Sequence, residues 1–201
     1  MRIILATNNI SKIEQIKAIF AGSGLDLFSL AEAKIESNVE EGIESLEENA
    51  GLKSMDVWRK KPWQDAWTMA DDTGLFIDAL GGEPGVITAD WAGKEVKGAA
   101  LEAFAIKKIR PIPEERRRAV WRTVAAVREP SGNLHIFTGE SGGKMIDKPQ
   151  GILIPEFPYS RIFVPEGENR TWSQMSTDEQ NAISHRGLAF SKAREYLLTK
   201  L

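Results

Sequence analysis

The chain has 201 residues, 42% hydrophobic and 27% charged, with a formal net charge of −3; these are the proportions of one ordinary globular domain, expected to span 1–201 as a bilobed unit. With no cysteine it has no disulfide, no thiolate metal site and no cysteine nucleophile. No basic surplus points to a nucleic-acid partner, and no stretch approaches the ~20 apolar residues of a membrane span, so a soluble cytoplasmic protein is expected.

Arg2-Ile3-Ile4-Leu5-Ala6 is a short β-branched apolar run that suits a central strand buried on both faces. Polar Thr7-Asn8-Asn9 follows, and then a helical pattern from Lys12 to Phe20, with Ile13, Ile16, Ile19 and Phe20 on one face. Residues 26–39 are ambiguous, with a strand near Leu27–Leu30. An acidic stretch, Glu40-Glu41-Gly42-Ile43-Glu44, leads into a helix opened by Ser45, and Glu48 completes a capping box in sequence. Pro62 closes that segment. Thr68-Met69-Ala70 reads as the end of a buried strand running into Asp71-Asp72-Thr73-Gly74 as a polar turn.

Gly81-Gly82-Glu83-Pro84-Gly85 is a turn cluster, and Ala99–Ile109 an amphipathic helix stopped by Pro111 and Pro113. The run Arg116-Arg117-Arg118 beside Glu114 and Glu115 reads as a solvated face. Val120–Arg128 and Leu134–Gly139 are two strands joined by Pro130-Ser131-Gly132-Asn133, a hairpin signal. Gly142-Gly143 marks a further turn. Four prolines and three aromatics between 149 and 165 suggest a rigid loop between short strands. Ser176 or Thr177 caps a short helix, and a last helix runs from Arg186 to Leu198.

Four groups of residues offer chemistry. Thr7-Asn8-Asn9 before a helix N-terminus, with Lys12, combines backbone N–H groups, the helix dipole and a point charge, which together hold an anion; an Asn-rich cap with a solvated lysine has the same pattern. Asp71-Asp72 after a buried strand is costly unless solvated, paired or metal-bound, and oxygen-only ligation suits Mg²⁺ bridging phosphates. A polar turn with Gly74 at an unusual backbone angle is the plainer alternative. The acidic stretch at 40–48 can add a metal ligand, and Asn49 and Lys53 share a helix face one turn apart. Ser184-His185-Arg186 at a helix start offers donors to a base or a phosphate, although a lone histidine is more often structural or on the surface.

In this order the pieces resemble the inosine/xanthosine triphosphate pyrophosphatase family over nearly the whole chain. The carrying motifs are Ala6-Thr7-Asn8-Asn9 with Lys12, Glu48-Asn49-Ala50 with Lys53, Ala70-Asp71-Asp72-Thr73-Gly74-Leu75, Ala79-Leu80-Gly81-Gly82 with Pro84-Gly85-Val86, and Met175-Ser176-Thr177 through Asn181-Ala182-Ile183-Ser184-His185-Arg186-Gly187-Leu188-Ala189. The resemblance implies an α/β fold: an elongated mixed β-sheet flanked by helices, in two lobes with the site in a central cleft. It further implies a homodimer, and hydrolysis of a nucleoside triphosphate to the monophosphate and pyrophosphate with Mg²⁺ or, in its place, Mn²⁺.

By the same resemblance Asp72 is the metal-linked carboxylate that activates water, and a glutamate at 40 or 41 is the second metal ligand, Glu41 being chosen because it keeps the spacing to Glu48. Thr7, Asn8, Asn9, Lys12, Lys53 and Thr73 face the phosphates. Phe157 and Tyr159 stack on the base, and Gln180, His185 and Arg186 lie at the base end. The chain departs from the family pattern at two places. Ser160 stands where the family's loop carries an aspartate, and Gln180 where it carries a lysine. Both fall on the base-recognition side, so an altered base preference is the alternative reading. A nucleotide-binding protein without catalysis is the rival from another class, disfavoured by the paired aspartates.

Overall fold

The computed structural model describes residues 1–201. The apolar run at the start forms strand β1 (Arg2–Leu5), and helix α1 (Ile10–Ile19) follows it. Strand alternation decides what each residue of β1 touches. Ile3 and Leu5 join a core cluster with Ile16 and Phe20 from the α1 side and Phe190, Ala193 and Leu197 from the C-terminal helix. Ile4 and Ala6, on the other face, pack with Leu30, Val57 and Ala70. Both faces are therefore dry, as a central parallel strand requires.

The remaining elements are β2 (Asp26–Phe28), α2 (Leu30–Ala33), α3 (Leu46–Lys60), β3 (Trp67–Ile77), β4 (Pro84–Gly85), α4 (Gly98–Ile109), β5 (Arg118–Arg128), β6 (Leu134–Met145), β7 (Phe163–Pro165), α5 (Thr177–Ile183) and α6 (His185–Leu198). The sheet is mixed. β1 pairs parallel with β2 and β3, whereas β4 pairs antiparallel with β3 and β7 antiparallel with β6. The strand order is β2-β1-β3-β5-β6-β7, with β4 beside β3. This is the mixed α/β fold expected from the motifs.

Two compact units make up the chain. One comprises residues 1–73, 123–139 and 185–201, the other 74–122 and 140–184. The first is built around the two faces of β1 and β3 just described. The second has an aromatic core in which Trp121 meets Tyr159 edge-on at 5.5 Å and tilts against Trp172 at 5.8 Å. Leu75, Ile77, Leu101, Ile109 and Phe163 complete that core.

Two expected turns are strand. β3 does not stop at Ala70 but runs on through the two aspartates to Ile77. Leu75-Phe76-Ile77 continues its buried pattern, so the polar residues form an interruption within one strand. Gly74 is needed there for closeness, not for an unusual backbone angle: a Cβ would lie 2.7 Å from the carbonyl oxygen of Gly85 on β4. Likewise Gly142-Gly143 lies inside β6. A Cβ on Gly143 would stand 2.3 Å from the carbonyl oxygen of Val164 and 2.6 Å from the Phe163 ring. Pairs of glycines that look like a turn are here the places where a neighbouring strand is admitted.

Gly143→Ala should accordingly force β7 away from β6. Overpacking of this kind costs about 1–3 kcal/mol, which a thermal melt should register as a Tm lowered by several degrees. An unchanged melting curve would mean that β7 is not held by this pairing.

Candidate active site

The site residues of the first unit are set by the alternation of β3. Asp71 has the parity of Trp67 and Met69 and lies on the face of α1 and α6. Asp72 has the parity of Thr68 and Ala70 and lies on the face of α3, where the Thr68 hydroxyl donates to the Ser54 carbonyl at 3.0 Å. Both aspartates are buried, at 3% and 7% exposure. A carboxylate that deep must be matched by a cation and donors, and each aspartate finds its own set.

Asp71 is met by two cations. Lys12 Nζ lies 3.1 Å and Arg186 Nε 3.5 Å from its Oδ2. The Thr73 hydroxyl donates to the same oxygen at 3.3 Å and pairs with the hydroxyl of fully buried Thr123 at 2.7 Å. Burial alone would raise the Asp71 pKa. The charges of Lys12, Arg186 and Lys53 outweigh it and hold this carboxyl well below the usual range. For Lys12 burial dominates, and with Arg186 and Lys53 it lowers the pKa against the pull of Asp71.

Asp72 is met by α3. Its Oδ1 takes Lys53 Nζ at 2.9 Å, and its Oδ2 accepts from Asn49 Nδ2 at 3.0 Å. The one-turn spacing of Asn49 and Lys53 is what lets both reach one carboxylate. Asn49 also clamps the acidic stretch: its Oδ1 accepts from Gly42 N at 2.8 Å and its Nδ2 donates to Gly42 O at 3.0 Å. That clamp brings the half-exposed Glu41 to Lys53, with Oε2 at 2.8 Å from the ammonium. Burial and the Glu41 charge raise the Asp72 pKa against Lys53 and Asn49. For Lys53 burial lowers the pKa, but the charges of Asp72 and Glu41 prevail and raise it. The ammonium is therefore held firmly, and Asp72 is a better proton acceptor than an ordinary aspartate.

Asn9 caps α1, its side chain accepting from Lys12 N at 3.0 Å, and Thr7 Oγ1 accepts from Asn9 N at 3.2 Å. Asn8 is exposed. The loop is thus both a helix cap and the mouth of the helix dipole, with the Lys12 ammonium beside it. His185 and Arg186 open α6, which presses on β6 at Gly139: a Cβ there would lie 2.1 Å from the His185 carbonyl oxygen and 2.5 Å from Ala189 N. The pKa of buried His185 is held well below the usual value by burial and by Arg186, so its imidazole is neutral. Arg186, expected to reach the base, has its guanidinium engaged by other groups. It is buried, joined to Asp71 and, through Nη1, to Gln15 Oε1 at 2.9 Å. A guanidinium so placed belongs to the same charge group as Lys12.

In the second unit, the residues expected to contact the base are arranged unequally. Phe157 is half-buried in the loop before β7. Tyr159 is not a stacking platform: its ring is enclosed by the aromatic core, and its hydroxyl donates to the Thr88 carbonyl at 2.7 Å. Gln180 spends its amide on the carbonyls of Trp172 and Met175, at 3.0 and 3.1 Å. Ser160 is buried, and its hydroxyl has no hydrogen-bond partner.

Sequence reasoning gave no role to Gln15, Thr123 or Gly139, and gave Asn49 a helix face and a place in a family motif but no partner. Their partners are remote in sequence, so no local spacing marks them. No three His, Cys, Asp or Glu side chains gather to hold a metal ion. Glu41 and Asp72, however, converge on one cationic nitrogen, and a pair of carboxylates with substrate phosphates is the ligand set that suits Mg²⁺. The donors present fit such an ion.

The two aspartates should separate on mutation. Asp71→Asn leaves Lys12 and Arg186 buried beside an amide and should cost about 3–5 kcal/mol. Asp72→Asn removes a carboxylate already disfavoured by burial and should change stability by less than about 1 kcal/mol. Because Asp71 ionises more readily folded than unfolded, its stabilisation is complete above the unfolded pKa of about 4 and fades as pH falls toward its own lower value. Urea titrations at several pH values should show the acid decline flattened in Asp71→Asn. Equal destabilisation by the two variants would refute this division of labour.

Residues 3–196 match the sequence model of the Ham1 family. The dITP/XTP pyrophosphatase of Caldanaerobacter subterraneus subsp. tengcongensis is 35% identical over 201 residues, covering 100% of this chain and 98% of that protein. That of Bacillus subtilis is 34% identical over 194 residues, 96% of each. Among solved structures, the Ham1 protein of Staphylococcus aureus superposes with a TM-score of 0.84 at 29% identity, and a HAM1 protein from Coxiella burnetii with 0.85 at 27%, each over 100% of both chains. The chain belongs to the Ham1 family.

Proposed function

We propose that this protein hydrolyses a non-standard purine nucleoside triphosphate, of the dITP or XTP kind, to the monophosphate and pyrophosphate. The observation that carries the reading is a buried carboxylate, Asp72, held between Lys53 and Asn49 while its sequence neighbour is neutralised by Lys12 and Arg186. Phosphoryl transfer asks a protein chiefly for positioning and charge, and both are present. The names of the relatives, dITP/XTP pyrophosphatase, favour this substrate class.

In the proposed reaction the triphosphate lies at the N-terminus of α1, whose N–H groups and dipole favour anions. Lys12, Lys53 and Arg186 supply cationic donors, with Thr7, Asn8, Asn9 and Thr73 as polar ones. Asp72 orients a water molecule and takes its proton as the water oxygen attacks the α-phosphorus. The bond to the bridging oxygen breaks, and pyrophosphate leaves with its electron pair. The raised pKa of Asp72 suits a proton acceptor. Glu41 and Asp72 are the residues that would hold Mg²⁺, with Mn²⁺ as a substitute. Such an ion supplies neutralisation of phosphate charge and a lowered pKa for bound water.

His185, neutral and buried, fits a donor or acceptor toward the base better than a charged contact. Phe157 remains the candidate for base stacking. The unpartnered Ser160 hydroxyl and the committed amide of Gln180 favour a second reading, the same chemistry with a shifted base preference. A homodimer rests on the family resemblance, and a cytoplasmic setting on the composition alone; no helix is long and apolar enough to cross a membrane.

A panel of triphosphates, including those of inosine, xanthosine, guanosine and modified bases, should be assayed for pyrophosphate release with Mg²⁺. The expected outcome is turnover of inosine or xanthosine forms well above that of guanosine triphosphate, and loss of about 10²–10⁴ in kcat for Asp72→Asn. Binding of nucleotides without release of pyrophosphate from any of them would leave a binding protein instead.

A further inference from the structure

Lys53 holds three partners at once. Its ammonium lies 2.8 Å from Glu41 Oε2, 2.9 Å from Asp72 Oδ1 and 3.4 Å from the Asp71 carbonyl oxygen. An ammonium has three protons to donate and no acceptor, so all of its bonding capacity is used within the site. The first two partners are the carboxylates proposed above as the ligands of a divalent cation. Lys53 and that cation therefore contend for the same oxygens.

A count of charges gives the contest a direction. Asp71, Asp72 and Glu41 are matched by Lys12, Lys53 and Arg186, three acids against three bases. The group is neutral as it stands. A divalent cation entering alone would leave it with an excess of positive charge in a largely buried setting, where unbalanced charge is expensive. A triphosphate brings more negative charge than the cation brings positive and offers Lys53 new acceptors. The four-carbon stem of a lysine permits such a change of partner.

We propose that Lys53 is a resident competitor for the cation site, so that this protein takes up a divalent cation weakly by itself and strongly once a triphosphate draws the Lys53 ammonium away. The inference rests on the reading of Glu41 and Asp72 as cation ligands and adds to it an order of events. Cation and nucleotide are coupled through one side chain, and the free protein does not hold a loaded metal site waiting for substrate.

The test uses Mn²⁺ alone, with no nucleotide, on metal-stripped full-length protein. Free Mn²⁺ is followed by electron paramagnetic resonance as protein is added. Lys53→Met and Lys53→Gln should each bind Mn²⁺ at least about tenfold more tightly than the unmodified protein, the scale of removing one unit charge a few ångströms away. Adding Glu41→Gln to Lys53→Met should abolish the gain. Circular dichroism checks that each variant is folded, and if the methionine variant is not, the glutamine variant carries the comparison. Mn²⁺ should also raise Tm more in the variants than in the parent. Equal Mn²⁺ affinity in parent and variants, or no uptake by any of them, overturns the proposal. If the affinities are equal while the triphosphate panel releases pyrophosphate, only the coupling fails. If the variants gain affinity but no nucleotide is hydrolysed, the cation site stands and the hydrolytic reading fails.

Discussion

Two adjacent aspartates inside a buried strand are tolerated only if each carboxylate meets a cation of its own. A strand sends neighbouring side chains to opposite faces, so the two carboxylates pair with different cations. The consequence spreads through the first unit. α1 must bring Lys12 and α6 must bring Arg186 to one face. α3 must bring Lys53 and Asn49 to the other. The packing of three helices is tied to the neutralisation of two charges.

The same constraint divides structure from chemistry. Asp71 is surrounded by matched charge and held strongly ionised, which suits a fixed electrostatic anchor for Lys12 and Arg186. Asp72 has fewer donors, and burial raises its pKa, which suits a group that must gain and lose a proton. Neighbouring residues support this contrast. Gln15 steadies Arg186, Thr123 steadies Thr73, and Asn49 holds the acidic segment so that Glu41 reaches Lys53. Gly139 lets α6 lie against β6 with no side chain between them.

The second unit is organised by aromatic packing. Tyr159 is drawn into that core by its neighbours Trp121 and Phe163 and by the Thr88 carbonyl. Its loop is pinned by backbone bonds: Ser160 N donates to Phe157 O, and Ser173 N to Ser160 O, each at 3.0 Å. A hydroxyl left unpartnered inside so well-bonded a loop is the feature that distinguishes Ser160.

The sequence by itself was enough for the longer helices, for β1 and the β5–β6 hairpin, and for the order of the motifs, whereas α2 and β4 fall in stretches that read as ambiguous or as a turn. Period-2 and period-3.6 patterns, Asn9 and Ser45 as caps, and the proline stops are local properties, and the helices begin and end within a few residues of where those signals fall. Motif order was enough for the family. What local pattern could not supply was the side on which a residue finds its partner. Asp71-Asp72 read as one acidic turn, yet they are two opposed sites, because β3 continues through Leu75-Phe76-Ile77 and alternation then separates them. Gly142-Gly143 read as a turn, yet they admit β7. Arg186 and Tyr159 read as contacts to a base, yet one is claimed by Asp71 and Gln15 and the other by the aromatic core. Each of these outcomes depends on groups tens of residues away, and a buried charge or ring takes whichever partner the tertiary packing brings within reach.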